Sequence, residues 1–278
     1  MLRIELYKLL RSRSFPIGFL SLALFLALVL WGFQSYAARQ AADTSFRFIE
    51  QRGSGYFNGS VFALLAIHLA FYLLLPIFIA LIAGQQIAGE RRAGTLRQML
   101  CRPVARWRIV AAKFAATITY TVLLLGFYWA LTLGLGYGLL GGGKLILLPG
   151  ILNLVDEPTS LAQGEALRRF GLALLTGVWS LLTLAAIAFL FSVLLDSAVN
   201  AVICAVSLYL VLHIVGSVEL FSAIKPYFFT VDMECWKDVF KPQIPWREYA
   251  FSACKCGVYT TGALLLATLR FERMDVTD

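Results

Sequence analysis

Long apolar segments separated by short clusters of charge dominate the pattern of this 278-residue chain. Stretches without Asp, Glu, Lys or Arg cover residues 14–38, 53–89, 114–143, 170–195 and 197–218, and a sixth, 249–269, is interrupted only by Lys255. Each stretch reaches the length of about 20 residues that a helix needs to cross roughly 30 Å of hydrocarbon. Because backbone amides in lipid must be bonded internally, the pattern predicts six transmembrane helices.

The distribution of charge predicts the orientation of these helices. If the N-terminus is cytoplasmic, the inner segments carry 13 Lys and Arg against 6 Asp and Glu, whereas the outer segments carry 11 against 10. This matches the positive-inside rule, with both termini in the cytoplasm. The net charge of +8 therefore indicates contact with anionic lipid or a partner protein, and not with nucleic acid.

Several local signals add detail to this topology. Residues 1–14 alternate leucines with Arg and Lys as an interfacial helix does, and Pro76 predicts a kink in the second crossing. Gly134 and Gly138 have the spacing of small residues at a close helix contact in the third crossing. The aromatic outer loop, about 217–247, is expected to form short helices at the outer face.

The segment between the second and third crossings, residues 85–113, is the most informative part of the sequence. Thr95 and Gln98 form a capping box, so a short helix is expected to begin after Gly94 and to end before Pro103. A compact cytoplasmic helix at this place would suit docking onto a soluble partner. The alternative interpretation is a basic loop that simply obeys the positive-inside rule.

This segment resembles the permeases of type-two ABC exporters. The residues that carry the resemblance are Glu90, Gly94, Thr95, Leu96, Leu100, Pro103, Val104, Arg106 and Lys113. The N-terminal run from Arg3 to Arg13 is similar to the elbow helix of that family, and the run from Phe189 to Ala198 resembles its junction between helices four and five. Asp196 departs from the family pattern, in which a basic or neutral residue is commoner.

The resemblance implies an all-α membrane protein with one permease domain over residues 1–278. It comprises an amphipathic elbow helix (1–14), six crossings, a coupling helix within 89–107 and an outer loop with short helices (217–247). Two permease subunits, identical or homologous, would pair with two ATPase subunits. Closure of the ATPases would move the coupling helices and tilt the membrane helices between inward-open and outward-open states.

No ATP-binding site is expected in this chain. Residues 138–144 (GLLGGGK) fit a phosphate-binding loop superficially, but Leu145 stands where Ser or Thr would hold Mg²⁺. ATP and Mg²⁺ are therefore expected on the partner subunit, and this chain by itself is not expected to be an enzyme or to hold a cofactor.

Helices two and five are expected, from the resemblance, to line the transport pathway. Polar residues in these helices that are candidates for contact with substrate are His68, Asn200, Ser207, Tyr209 and His213. An ionisable residue within the membrane is a functional candidate by default. The alternative is that each forms a hydrogen bond to a neighbouring helix, which a neutral histidine does at little cost.

Three cysteines are expected on the outer side. Cys235 could form a disulfide with Cys254 or Cys256 in an oxidising periplasm, the last two could bind a soft metal such as copper, or all three could be free thiols. The spacing of Cys and His contains no pattern typical of a metal site, so no metal is assigned.

The sequence leads to one main functional hypothesis and two alternatives. The main one is the permease of an ATP-driven exporter. A permease of the same fold that passes ATP-driven motion to a periplasmic partner, as in the maturation of a metalloenzyme, is the first alternative. An intramembrane hydrolase is the second, but neither a GxSG-type elbow nor paired intramembrane carboxylates accompany the Ser and His residues.

The predicted topology can be tested at a native cysteine, because Cys101 lies in the cytoplasmic segment. In a variant that keeps only this cysteine, a membrane-impermeant maleimide should modify the chain after the cells are permeabilised and not before. Modification of Cys101 in intact cells would place residues 91–108 outside and contradict the topology.

Overall fold

Helices form almost all of the described part of the chain. A computed structural model describes residues 2–12, 14–42, 57–96, 105–147 and 159–274. In chain order the α-helices are α1 (Leu2–Arg11), α2 (Ser14–Ala42), α3 (Gly59–Tyr72), α4 (Leu74–Gln85), α5 (Ala88–Arg92), α6 (Arg106–Leu140), α7 (Gln163–Leu194), α8 (Ala198–Ser217), α9 (Phe229–Asp232) and α10 (Trp246–Glu272). Three 3₁₀ helices cover Glu219–Phe221, Lys225–Tyr227 and Met233–Phe240.

The helices confirm an all-α membrane protein, with one addition that the sequence pattern did not predict. Five helices, α2, α6, α7, α8 and α10, are long and apolar enough to cross a membrane, and α3 with α4 makes a sixth if the bent pair is one span. The unpredicted element is a short antiparallel pair, β1 (Leu145–Leu147) with β2 (Thr159–Leu161), in which Ile146 lies opposite Ser160. The short helices expected within 217–247 are present.

The chain bends by 42° between α3 and α4. The break lies at Leu73, three residues before Pro76, and has a simple cause. Proline has no amide proton, so Pro76 cannot donate to the carbonyl of Tyr72 four residues earlier. The Tyr209 hydroxyl of α8 donates to that carbonyl instead, at 3.0 Å. The kink predicted from Pro76 is therefore present, about one turn to the N-terminal side of the proline.

Helix α7 is the central element of the bundle. It packs against α4, α6, α8 and α10. Two-thirds of its most apolar 18-residue segment is buried. In contrast, α2 exposes Leu20, Leu24, Leu28 and Trp31 along one side. These positions recur at helical spacing, so they form a stripe suited to contact with lipid.

Two regions at different levels of the bundle position the polar residues. The first, which we call the base, comprises α1, α5, the start of α6, the turn between α7 and α8, and the end of α10. The second, which we call the cap, comprises residues 219–240 and packs against α7, α8 and α10.

Within this chain, the close helix contact does not lie at Gly134 and Gly138. A Cβ atom added at either glycine would meet no atom within 4 Å. The close contact is at Gly136, where an added Cβ would lie 2.8 Å from the carbonyl oxygen of Gly59 and 3.1 Å from Phe62 Cδ1. Gly59 and Gly136 thus allow the backbones of α3 and α6 to touch.

This contact predicts different effects for neighbouring glycines. Gly136→Ala should lower the free energy of unfolding by about 1–3 kcal/mol, because the methyl group has to displace the α3 backbone. Titration of the purified protein with SDS from a mild detergent measures this loss. Gly134→Ala and Gly138→Ala are the matched controls and should leave stability unchanged; equal effects at all three positions would contradict the assignment.

Candidate functional site

Four charged side chains from three elements meet at the base. The ammonium group of Lys113, on α6, is only 1% exposed and lies 3.2 Å from Glu5 Oε2 and 2.7 Å from Glu90 Oε2. Lys8 Nζ lies 2.9 Å from the other oxygen of Glu90 and 3.8 Å from Glu5 Oε1. We call these four residues the base network, and it joins α1, α5 and α6.

The pairing at the base explains why such charges are tolerated inside the protein. A buried ammonium group is costly unless it is paired, and here two carboxylates surround it. Burial lowers the pKa of Lys8, but the hydrogen bond and charge of Glu90, with the charge of Glu5, outweigh burial and raise that pKa overall. The ion pairs with Lys8 and Lys113 hold Glu90 in place.

A second set of contacts joins α5 to the turn between α7 and α8. The backbone amides of Ile87 and Ala88 donate to Ser192 Oγ at 2.9 and 3.0 Å. These amides lie at the start of α5, and the first amides of a helix have no acceptor within their own helix. Arg91 forms an ion pair with Asp196 and donates to the carbonyl of Val193 at 3.2 Å. Asp196, the residue that departs from the family pattern, is therefore the partner of Arg91.

Arg106 connects the start of α6 to the end of the last helix. Its guanidinium donates to the carbonyl oxygens of Phe271, Glu272 and Met274 at 3.1, 3.0 and 2.7 Å. The final carbonyls of a helix lack intrahelical partners and carry partial negative charge, so a cation there is favourable. This contact brings the C-terminal end of α10 to the base.

The predicted coupling segment is described only in part. Gly94 has a φ of +70°, a left-handed conformation that favours glycine, and residues 95 and 96 have helical backbone. The Thr95 hydroxyl donates to the carbonyl of Glu90 at 3.3 Å, and Leu96 is buried. The other candidates of this segment, Gln98, Leu100 and Pro103, lie outside the described residues.

The second polar group surrounds a cavity of about 420 Å³ beneath the cap. We call it the cap cavity. Its polar lining comprises His68, Tyr72, His213, Ser217, Lys225, Thr230, Glu234 and Lys237. The His213 ring is edge-on to the Tyr72 ring at 4.2 Å and stacks on Tyr209 at 5.6 Å. Tyr72 stands thirteen residues after Gly59, so the cavity lies roughly 20 Å along α3 from its start.

The structure brings three of the five pathway candidates together. His68, Tyr209 and His213 surround Tyr72 at the cavity, whereas Asn200 and Ser207 are exposed elsewhere on α8. Sequence reasoning did not single out Glu234 and Lys237, which contact this group from the cap. Their i, i+3 spacing could have indicated an ion pair, because it places opposite charges on one face of a helix. Lys237 Nζ lies 2.8 Å from Glu234 Oε2.

Two cations, the buried Arg169 and the partly exposed Lys255, fix the cap to the bundle. Arg169 of α7 donates to the carbonyls of Val239 and Pro242 at 3.1 and 3.3 Å. Lys255, the single charge in the sixth apolar stretch, donates to the carbonyl of Pro226 at 2.9 Å and lies 3.4 Å from Asp232 Oδ1. Burial raises the pKa of Asp232, and the charge of Lys255 opposes that rise.

The cysteines near the cap are free thiols in this structure, so the disulfide considered from the sequence is not formed. Cys235 and Cys256 are buried and Cys254 is exposed. Cys235 Sγ lies 3.5 Å from Ser180 Oγ, and burial raises the pKa of this thiol, which keeps it protonated. Within the described ranges, no group of three or more His, Cys, Asp or Glu residues is arranged to hold a metal ion.

The base network predicts a large effect of removing its central cation. Lys113→Met should lower the free energy of unfolding by about 3–5 kcal/mol, because Glu5 and Glu90 lose the ammonium between them. Adding Glu5→Gln should restore part of the loss, as it removes a buried charge. Unfolding in SDS measures both effects. Lys144→Met, at an exposed lysine, is the control; a loss of the same size there, or no rescue, would contradict the network.

Comparison with known proteins assigns the chain to a family. The family model of ABC-2 family transporter proteins matches residues 1–229, which include α1 to α8 and the start of the cap. No curated protein is significantly similar in sequence. The matched region contains all four residues of the base network and the pathway candidates. The chain therefore belongs to the ABC-2 transporter family and is a multi-pass membrane permease of the ABC transporter type.

Proposed function

We propose that this chain is the permease subunit of an ATP-driven exporter and that the base receives the motion of a separate ATPase. Two ATPase subunits and a second permease subunit, identical or homologous, complete the transporter. ATP and Mg²⁺ bind the ATPase subunits. The chain lies in a bacterial inner membrane with both termini in the cytoplasm. The base is then cytoplasmic, and the cap cavity opens toward the periplasm.

The observation that carries the proposal is the convergence of contacts on α5. Glu90 pairs with Lys8 and Lys113, Arg91 pairs with Asp196, and the first amides of α5 bond to Ser192. A displacement of this short helix is therefore passed to α1, α6, α7 and α8 together. Such a contact set is what a subunit needs if it is driven from outside its own fold.

A second candidate function is the transfer of motion to a periplasmic partner protein. Leu220 and Tyr227 of the cap and Trp246 at the start of α10 are all at least 60% exposed, which favours a protein contact at this end. Export and transfer of motion differ in their partners. Recovery of a periplasmic protein with the purified complex, lost when these three residues are replaced by serine, would support transfer of motion over export.

The role of α5 predicts uncoupling by two substitutions. Glu90→Gln should reduce the stimulation of the ATPase by the permease about tenfold, since Lys8 and Lys113 lose their shared charged partner. Gly94→Pro should abolish stimulation, because proline cannot adopt a φ of +70°. ATP hydrolysis by the reconstituted complex measures both effects.

The matched control is Glu248→Gln, which replaces an exposed carboxylate at the start of α10. This variant should retain full stimulation. Normal stimulation in Glu90→Gln and Gly94→Pro, with both variants assembled in the membrane, would contradict the proposed coupling.

A further inference from the structure

The cap cavity holds one positive charge that its own lining does not neutralise. Glu234 accepts from Lys237 Nζ at 2.8 Å, and its other oxygen lies 3.7 Å from His213 Nδ1. Lys237 also lies over the Tyr72 ring at 5.6 Å. Lys225 lines the cavity from the cap, and within the described residues it has no carboxylate at ion-pair distance. With neutral histidines, the lining carries a net charge of +1.

Buried polar atoms beside the cavity also lack partners. Within the described part of the chain, Thr230 Oγ1, Trp236 Nε1, His68 Nδ1 and His213 Nε2 are buried and form no hydrogen bond. Thr230 is 2% exposed and Trp236 fully buried. An indole nitrogen can only donate, so Trp236 requires an acceptor from elsewhere. Leaving a buried donor without an acceptor costs about 1–3 kcal/mol, which a bound acceptor would recover.

The size of the cavity is suited to a ligand group. At about 420 Å³ it falls within the roughly 300–1,000 Å³ typical of small-molecule sites. A much smaller pocket shares His68, Thr230 and other residues with this cavity and is also lined by Trp236. The rings of Tyr72 and His213 are part of the wall, and most of the other lining side chains are polar.

We propose that the cap cavity binds an oxyanion group, a carboxylate, phosphate or sulfate, of the transported ligand. Lys225 neutralises its charge, and the Thr230 hydroxyl donates a hydrogen bond to one of its oxygens. The ammonium of Lys237 balances Glu234 and keeps that carboxylate from repelling the ligand. This inference rests on the proposed exporter function, since it names the chemical class of the substrate at the cap.

Binding of defined probes to the full-length chain in a neutral detergent tests the proposal. Inorganic phosphate represents a free anion, and dodecyl phosphate represents an anionic lipid headgroup. Dodecyltrimethylammonium, with the same alkyl chain and the opposite charge, is the matched control ligand. Isothermal titration calorimetry should show at least one phosphate probe binding about tenfold more tightly than the ammonium probe.

Variants then place the binding in the cavity. Lys225→Gln should weaken binding of the phosphate probe about tenfold, and Thr230→Val about fivefold, while Lys144→Gln at an exposed lysine outside the cavity should have no effect. Binding of inorganic phosphate would identify a soluble anion, and binding of dodecyl phosphate alone a lipid-like anion.

Two results would overturn the proposal. One is equal binding of the phosphate and ammonium probes, and the other is binding that Lys225→Gln and Thr230→Val leave unchanged. Both measurements are made without an ATPase. A failure here is therefore distinct from a failure of coupling, which is measured by ATP hydrolysis with Glu90→Gln and Gly94→Pro.

Discussion

A lysine ammonium enclosed by protein has to keep its carboxylates, because a buried charge without a partner costs several kcal/mol. Lys113 meets this constraint with one carboxylate from α1 and another from α5, and its own backbone belongs to α6. Separating any two of these elements would expose or orphan a charge. The three elements are therefore expected to move together, even though α1 and α5 are short and have few apolar contacts of their own.

The same argument extends from the base to the cap through α7. Ser192 and Val193, near one end of this helix, accept hydrogen bonds from α5. Arg169, near the other end, donates to carbonyls at the end of Met233–Phe240 and just after it. A helix of 32 residues spans about 48 Å, close to the full thickness of a bilayer with its headgroups. Because α7 packs against α4, α6, α8 and α10, we expect a tilt imposed at the base to reach the cap with little bending.

The sequence predicted the long elements well and the contacts between them poorly. Charge-free stretches locate the crossings, because lipid leaves few other structures possible. Glu90 and Arg106 were identified by resemblance, but Glu5 was missed, since a glutamate among Arg and Lys in an amphipathic segment usually faces solvent. Spacing could not locate the close glycine contact at Gly136 rather than Gly134, because it depends on the rotation of α6 relative to α3.

The bend at Leu73 connects the two polar regions in a way that no single motif indicated. Pro76 leaves the Tyr72 carbonyl without its helical donor, and Tyr209 of α8 supplies one. On one side of the bend, α4 leads directly to α5 and the base; on the other, Tyr72 and His68 form the wall of the cap cavity. Because one hydrogen bond from α8 replaces the missing helical bond, α4 can change its angle while Tyr72 keeps its position. Motion of the base can then alter the cavity through the angle between α3 and α4, without unfolding either helix.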